Sequence, residues 1–260
     1  MSIFDLSGKV ALITGSTRGI GKAIALQMAD HGARVVISSR KHDACVTVAS
    51  EIAAAGGEAL PLACNIGRKP ALQTLVEATL AKWQRIDILV CNAAINPYFG
   101  PSLEIPDDAF DKIMTTNVRS NFWLCNMVLP QMAERRDGAV IIVSSVGGLA
   151  GSDRLGAYCI SKAADMQLAR NIAVEWGSHN IRANCLAPGV IRTEFARALW
   201  SDPAVHARLI RQYPLGRIGE PDDVAGAAVF LASRAGSFTT GQTLVIDGGG
   251  TISGITAAGK

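Results

Sequence analysis

Short apolar runs of strand length alternate with longer helix-like segments along the whole chain. Seven runs predict strands, at 9–13, 34–38, 59–63, 87–91, 139–143, 181–186 and 243–247. Most of these runs are apolar on both faces, which is typical of a parallel sheet covered by helices on both sides. Between them, helical patterns lie at 20–31, 42–55, 69–83, 107–134, 156–177 and 221–232. This alternation predicts an α/β fold with a doubly wound parallel sheet and right-handed crossovers.

The composition suits one such unit and argues against several other classes of protein. The 260 residues are 49% hydrophobic, enough for one large core, so we expect a single domain over 1–260. A net charge of +3 without a dense Lys/Arg run does not suggest nucleic-acid binding. No apolar run approaches the roughly 18 residues of a membrane span, and no leader peptide is visible. Six cysteines without CxxC spacing favour buried thiols in the cytoplasm, and four unclustered histidines predict no metal.

A glycine-rich turn follows the first predicted strand, in TGSTRGIGKAIA, with glycines at 15, 19 and 21. Glycines there permit a tight turn and let the backbone approach a diphosphate at the N-terminus of the next helix. A Walker A loop does not match, because Gly15 and Gly21 are one residue too far apart and Ala23 replaces the Ser or Thr that holds magnesium. The spacing G-x-x-x-G-x-G also differs from the common dinucleotide fingerprint G-x-G-x-x-G.

Tyr158 and Lys162 form a second candidate site, with Ser145 thirteen residues before the tyrosine. Four residues are about one helical turn, so the two side chains share a helix face. An ammonium beside a phenol favours the ionised phenol, which suits proton transfer to or from an alcohol or carbonyl oxygen. An exposed tyrosine beside a solvated lysine remains the alternative for this pair alone.

Several motifs, in order and over nearly the whole chain, resemble the classical short-chain dehydrogenase/reductase family. They are TGSTRGIG, CNAA at 91–94, Asn117 in TTNV, the serines 144–145, YCISK, PGVIRT at 188–193 and GQTLVIDGG. The resemblance implies a Rossmann-type sheet of seven strands in the order 3-2-1-4-5-6-7 and a nicotinamide-dependent oxidoreductase. It also implies a homotetramer in which the long helices at 107–134 and 156–177 form the interface.

The resemblance assigns four catalytic residues. In the direction of reduction, Tyr158 donates a proton to the carbonyl oxygen, Ser145 hydrogen-bonds that oxygen, and Lys162 favours the phenolate. Asn117 resembles the family residue that holds a proton-relay water near the lysine. For Ser145 alone, a structural serine at the end of a strand is the alternative.

The end of the second strand indicates which nicotinamide cofactor is used. NAD-dependent enzymes usually carry Asp or Glu there, which holds the ribose 2′-hydroxyl. This chain has Ser38, Ser39 and Arg40 instead, and an arginine can bind a 2′-phosphate with two charge-assisted hydrogen bonds. Arg18 resembles the family's second basic position, and Ser39 could donate a further bond. We therefore predict that NADP(H) is preferred over NAD(H), a solvated Arg40 being the alternative.

The resemblance also implies the remaining cofactor contacts. They come from the glycine turn, the adenine side, the ribose side, the catalytic pair and the nicotinamide side: Gly15, Thr17, Arg18, Gly19, Ile20, Gly21, Ser39, Arg40, Asn65, Ile66, Asn92, Ala93, Tyr158, Lys162, Pro188, Gly189, Ile191 and Thr193.

The substrate pocket is predicted to be mostly apolar and aromatic. Its expected contacts are Ser145 and Tyr158 together with Tyr98, Leu149, Leu155, Phe195 and Trp200. The segment 192–220 interrupts the alternation and is predicted to be an insertion over the cleft, although its aromatic residues would equally serve lid or subunit packing. A small-molecule ketone or aldehyde, reduced to an alcohol or formed from it, suits such a pocket. Reduction of a 3-oxoacyl thioester and a non-catalytic NADPH-binding sensor or scaffold are the alternatives.

Overall fold

A parallel sheet of seven strands forms the centre of the computed structural model, which describes residues 2–253. The strands are β1 (Val10–Thr14), β2 (Arg34–Ser39), β3 (Ala59–Ala63), β4 (Ile88–Cys91), β5 (Gly138–Val143), β6 (Ile181–Pro188) and β7 (Thr243–Ile246). Their order is β3-β2-β1-β4-β5-β6-β7, and every neighbouring pair is parallel. The predicted fold class and strand order are therefore confirmed.

Helices connect successive strands. They are α1 (Gly19–Asp30), α2 (His42–Ala54), α3 (Lys69–Trp83), α4 (Asp107–Ile113), α5 (Ser120–Arg135), α6 (Gly156–Trp176), α7 (Arg197–Trp200), α8 (Pro203–Ile210) and α9 (Pro221–Ala232). The structure divides the predicted helix at 107–134, because a π-helical segment, Met114–Arg119, joins α4 to α5. Such segments inside helices are frequent at functional sites. Among residues 2–253, no helix is long and apolar enough to cross a bilayer.

The sheet separates two hydrophobic cores, as a doubly wound fold requires. Successive side chains of a strand point to opposite faces, so Ala11 and Ile13 of β1 join one core while Val10 and Leu12 join the other. The first core is completed by α1, α2 and α9, and the second by α3, α5 and α6. Burial on both faces explains why the strands are apolar throughout.

The strand order reverses between β1 and β4, which are neighbours although they are distant in sequence. In open α/β sheets, ligands bind beyond the carboxyl ends of the strands at this switch point. The segment 192–220 leaves the sheet after β6 and contains α7 and α8. Its two ends meet in a short parallel bridge between Ile191 and Gly219, so the segment is an excursion that returns to its starting point.

Candidate active site

The glycine turn between β1 and α1 requires its glycines on steric grounds. Gly15 and Gly19 adopt left-handed backbone conformations, with φ of 67° and 54°. A Cβ on Gly21 would lie 2.4 Å from both Asn92 Nδ2 and the Gly15 carbonyl oxygen. Helix α1 begins directly after Arg18, whose side chain does not cap it. The first amide groups of α1 are therefore available to an anion, as in a diphosphate site.

Asn92 and Thr14 join the glycine turn to the end of β4. Asn92 Nδ2 donates to the carbonyl oxygens of Thr14 at 2.9 Å and Gly15 at 3.2 Å. In return, Thr14 Oγ1 accepts from the amides of Asn92 and Ala93 at 3.0 and 3.1 Å. Asn92 thus shapes the turn itself, in addition to its predicted place beside the ribose. Thr14 was not among the predicted site residues, although it opens the motif TGSTRGIG.

Two exposed arginines follow the carboxyl ends of the neighbouring strands β1 and β2. Arg18 precedes α1 and Arg40 follows β2, and within residues 2–253 neither forms an ion pair with a carboxylate. Ser39 Oγ donates to the carbonyl oxygen of Lys41 at 3.2 Å, so its hydroxyl is engaged locally. Ser16 Oγ accepts the amide of Ser38 at 2.8 Å and connects the glycine turn to β2. Positive charge without a counter-charge suits an anionic ligand.

The residues predicted on the adenine side follow β3. Asn65 is exposed, and its Oδ1 accepts the amide of Gly67 at 3.2 Å. Ile66 is buried among the apolar residues of the second core. Both lie at the carboxyl edge of the sheet, on the same side as the glycine turn.

The residues predicted on the nicotinamide side follow β6. Pro188 ends the strand, and the amide of Gly189 donates to the carbonyl oxygen of Ile246 at 2.9 Å. A Cβ on Gly189 would lie 2.9 Å from Asp247 Cβ. Thr193 reaches back to the glycine turn, since a Cβ on Gly19 would lie 3.0 Å from its Cγ2. The fold therefore brings the predicted cofactor residues from both ends of the sequence to one edge.

Tyr158 and Lys162 share one face of α6, below the end of β5. The Lys162 ammonium lies 5.8 Å from the centroid of the Tyr158 ring and donates to the carbonyl oxygen of Val143 at 2.9 Å. Ser144 Oγ donates to the carbonyl oxygen of Lys162 at 2.8 Å, which is a structural role. These bonds fix the start of α6 against β5.

Ser145 lies close to the same tyrosine. Its Oγ accepts the amide of Gly147 at 3.1 Å. A Cβ on Gly147 would lie 3.5 Å from Ser145 Oγ and 4.0 Å from the Tyr158 ring. The two side chains therefore face one small space beside the turn after β5. Because Ser145 Oγ accepts a backbone amide, its own hydrogen is free to donate to an oxygen placed in that space.

Asn117 lies in the π-helical segment, and its side chain is fully buried. Its Oδ1 accepts the amide of Ile95 at 2.9 Å, and its Nδ2 donates to the Ile95 carbonyl oxygen at 3.0 Å and to Ser161 Oγ at 3.1 Å. These bonds hold the loop after β4 against α6. The water-holding role of Asn117 stays a prediction.

Asp165, which was not predicted, binds Lys162. The Lys162 ammonium lies 3.1 Å from Asp165 Oδ2, and both side chains are almost completely buried. Burial by itself would lower the pKa of Lys162, but the Asp165 carboxylate and Tyr158 outweigh burial and raise that pKa above its usual value. In the sequence, the only sign of this ion pair is the three-residue spacing between Lys162 and Asp165. The same spacing is equally common in pairs on solvated helix surfaces, so it did not single out Asp165.

A small cavity adjoins Tyr158 between the loop after β4 and the start of α6. Tyr98 and Leu155 line it, and the Tyr98 hydroxyl donates to the carbonyl oxygen of Pro101 at 2.9 Å. Asn96 also lines it, and its buried Oδ1 has no hydrogen-bond partner within residues 2–253. An unpaired acceptor in a pocket suits a ligand that donates a hydrogen bond.

The other predicted substrate contacts differ in their surroundings. The Phe195 ring lies 6.2 Å from the Tyr158 ring and is 57% exposed, and Leu149 is 51% exposed. Trp200 instead contacts its own segment: its Nε1 donates to the carbonyl oxygen of Thr193 at 3.0 Å, and the Arg192 guanidinium lies 5.4 Å from its ring. Packing of the segment 192–220 accounts for the position of Trp200.

The comparisons with known proteins agree with this geometry. The family model described as Enoyl-(Acyl carrier protein) reductase matches residues 15–251. Dehydrogenase/reductase SDR family member 4 of Bos taurus is 41% identical over 247 residues, which cover 94% of this chain and 88% of that protein. The chain belongs to the short-chain dehydrogenase/reductase family. The resemblance inferred from the motifs is thus confirmed, and the protein is an oxidoreductase of this family.

Solved structures of short-chain dehydrogenase/reductases superpose on nearly the whole chain. A short-chain type dehydrogenase/reductase from Mycobacterium marinum has a TM-score of 0.90 and 39% identity, covering 96% of this chain and 98% of that one. A gluconate 5-dehydrogenase from Burkholderia cenocepacia J2315, in complex with NADP and tartrate, has a TM-score of 0.92 and 35% identity, covering 96% and 97%. Within residues 2–253 of the present chain, no three potential ligands cluster around a metal position.

Proposed function

We propose that this protein is an NADP(H)-dependent oxidoreductase that reduces a ketone or aldehyde to an alcohol, or catalyses the reverse reaction. The observation that carries the proposal is the position of Tyr158, Lys162 and Ser145 beside one small space at the sheet edge that also holds the glycine turn. When bound, the nicotinamide supplies or accepts the hydride. The protein has to supply a proton for the substrate oxygen, hydrogen bonds to that oxygen, and a fixed position for the substrate.

In this proposal, Tyr158 gives its proton to the substrate oxygen as negative charge develops there. The free hydrogen of Ser145 Oγ donates to the same oxygen and stabilises that charge. The buried ammonium of Lys162 stabilises the phenolate that remains on Tyr158. Asn117 acts at a distance, by holding the loop after β4 and, as the family resemblance implies, a relay water.

The cofactor fits the residues around the glycine turn. The backbone of the turn is packed so closely that it leaves no room for a side chain at Gly21. The start of α1 is not capped by a side chain, so its amides could bind a diphosphate. Arg40 and Arg18 would hold a 2′-phosphate, and Asn92, Lys162 and Thr193 would lie along the ribose and nicotinamide.

The cofactor preference is tested by charge reversal. Arg40→Asp should lower kcat/KM for NADPH by about tenfold to a hundredfold, because two charge-assisted bonds are replaced by repulsion. It should leave kcat/KM for NADH unchanged or improved. Arg234→Asp, an exposed arginine after α9, is the matched control. Equal efficiency with both cofactors, unaltered in Arg40→Asp, would refute the preference.

The chemistry is tested with a panel of apolar ketones, aldehydes, retinal, α-diketones, sugars and an acetoacetyl thioester. Tyr158→Phe should fold, bind NADPH and lose about a hundredfold to ten-thousandfold of kcat. Thr74→Val, which removes an exposed hydroxyl from α3, is the control. Wild-type turnover in Tyr158→Phe would exclude the role of this residue. A strong preference for the thioester would move the substrate class to acyl reduction, and binding without turnover across the panel would favour a sensor.

We also propose that the protein forms a homotetramer and works in the cytoplasm. Each chain would be a single domain, with the segment 192–220 covering its cleft. Exposed apolar side chains on α5 and α6 support an interface there: Phe122 is 50% exposed, Ile160 54% and Val174 85%. All six cysteines are free and buried, in keeping with a reducing compartment. Light scattering at micromolar concentration tests the assembly, and a monomeric mass would refute it.

A further inference from the structure

The surroundings of Lys162 contain a charge that the proposed reaction does not use. Its ammonium donates to the carbonyl oxygen of Val143 at 2.9 Å and to Asp165 Oδ2 at 3.1 Å. The side chains of Lys162 and Asp165 are 3% and 0% exposed. A buried ammonium or carboxylate is costly unless it is paired, so each of the two favours the charged form of the other. Burial raises the pKa of Asp165, and the Lys162 ammonium and the Asn121 hydrogen bond oppose that rise.

Asn121 holds the carboxylate in place from the neighbouring helix. Its Nδ2 donates to Asp165 Oδ1 at 2.9 Å and to the carbonyl oxygen of Asn117 at 2.7 Å. A buried network therefore runs from the π-helical segment and α5 to Asp165, then to Lys162 and the Tyr158 ring. Asn117 and Lys162, two residues proposed to act in catalysis, are connected through side chains from α5 and α6.

Among residues 2–253, the other titratable groups around this network are thiols and one arginine. Burial holds the pKa of Cys185, on β6, well above its usual value. A hydrogen bond with Cys125 of α5, together with burial, does the same for the pKa of Cys91 on β4. Both thiols stay protonated at neutral pH and carry no charge. Further along α6, Arg170 donates to Gln167 at 2.9 Å on the exposed surface. Asp165 is thus the acidic group that faces Lys162.

We propose that Asp165 is a positioning residue, which anchors the Lys162 ammonium and sets the pH at which Tyr158 loses its proton. This inference rests on the proposed roles of Tyr158 and Lys162. A carboxylate beside Lys162 offsets part of the positive potential at the phenol. Removing that negative charge makes the first proton loss from the Tyr158–Lys162 pair easier, whichever of the two groups releases the proton.

Absorbance of tyrosinate tests the inference without turnover. The chain has three tyrosines, so subtracting the titration of the matching Tyr158→Phe protein isolates Tyr158. In Asp165→Asn, the midpoint of this difference titration should lie about one pH unit below that of the wild type. The acidic limb of kcat/KM for alcohol oxidation should move by the same amount. Asp165→Glu keeps the charge and should restore the wild-type midpoint.

Equal midpoints in wild type and Asp165→Asn would overturn the inference, and a lower melting temperature with an unmoved midpoint would reduce Asp165 to a structural residue. If Asp165→Asn does not fold, Asp165→Ser removes the same charge, leaves room for a water, and is titrated in its place. A shifted midpoint in a protein without turnover on any carbonyl would support the inference while the proposed function fails. If the wild type is active but the tyrosinate midpoint does not move in Asp165→Asn, the inference fails while the proposed function stands.

Discussion

Gly148 offers a test of whether the turn after β5 positions Ser145 for catalysis. This glycine ends the short helical turn Val146–Gly148, and its amide donates to the Ser145 carbonyl oxygen at 2.9 Å. A Cβ at this position would lie 2.8 Å from the Lys162 carbonyl carbon and 2.9 Å from the Ala163 amide nitrogen. These atoms belong to the backbone of α6, so no side-chain rotation relieves the contact.

In Gly148→Ala, the turn and α6 must separate by about 0.6 Å, the difference between 2.8 Å and the 3.4 Å at which ordinary contact begins. The separation moves Ser145 away from Tyr158, which lies on α6. A displacement of about 1 Å at a reacting centre can cost a hundredfold in rate, so we expect kcat to fall about tenfold or more. The strain should also cost about 1–3 kcal/mol of unfolding free energy.

The assay compares kcat, KM and the melting temperature of Gly148→Ala with those of Gly151→Ala. Gly151 lies three residues further in the same loop, and a Cβ there would meet nothing within 4 Å. The control should therefore behave as wild type. A Gly148→Ala protein with wild-type kcat and melting temperature would refute the argument that backbone contact with α6 positions Ser145.

Two further predictions concern stability. The hydrogen bond from Arg217 lowers the pKa of Asp223 to about 2, so this carboxylate stabilises the fold above its unfolded pKa near 3.8 and the contribution disappears as the pH falls through about 2. The difference in melting temperature between wild type and Asp223→Asn should follow that course, and a pH-independent difference would contradict it. Asp87 accepts the buried amide of Val10 at 2.8 Å and also pairs with Arg85, so Asp87→Ala should cost about 1–3 kcal/mol in denaturant unfolding for the unpaired amide, besides the lost ion pair. Asp87→Asn keeps an acceptor and should cost less, and equal losses would show that the Val10 bond is unimportant.

Much of the fold could be predicted because its signals are local. Strands buried on both faces must be apolar throughout, and helices between them must expose one side, so alternation alone indicates a covered parallel sheet. The glycine turn can be predicted equally well, because Gly15 and Gly19 adopt conformations that other residues rarely adopt. The order of the strands came from motifs in family order, and the same motifs gave a catalytic role to Tyr158, which its spacing from Lys162 had already made a candidate.

The interior of the helix predicted at 107–134 was not predicted correctly. The pattern over 107–134 predicts one helix, whereas the structure inserts the π-helical segment Met114–Arg119 between α4 and α5. Asn117 lies in this segment, and its side chain binds the backbone of Ile95, 22 residues away. A shift in helical register of this kind is decided by partners outside the helix, which apolar periodicity does not record.

By itself, the sequence determined the architecture and the residues that pair within one helical turn, because these depend on burial patterns and short spacings. Only the tertiary structure showed that Asp165 is the counter-charge of Lys162, that Asn121 holds it from 44 residues away, and that Trp200 turns back to Thr193. An aspartate three residues after a lysine is usually solvated on a helix surface. Whether it is buried as an ion pair depends on which side of α6 lies against α5 and the sheet, and that is a property of packing between distant segments.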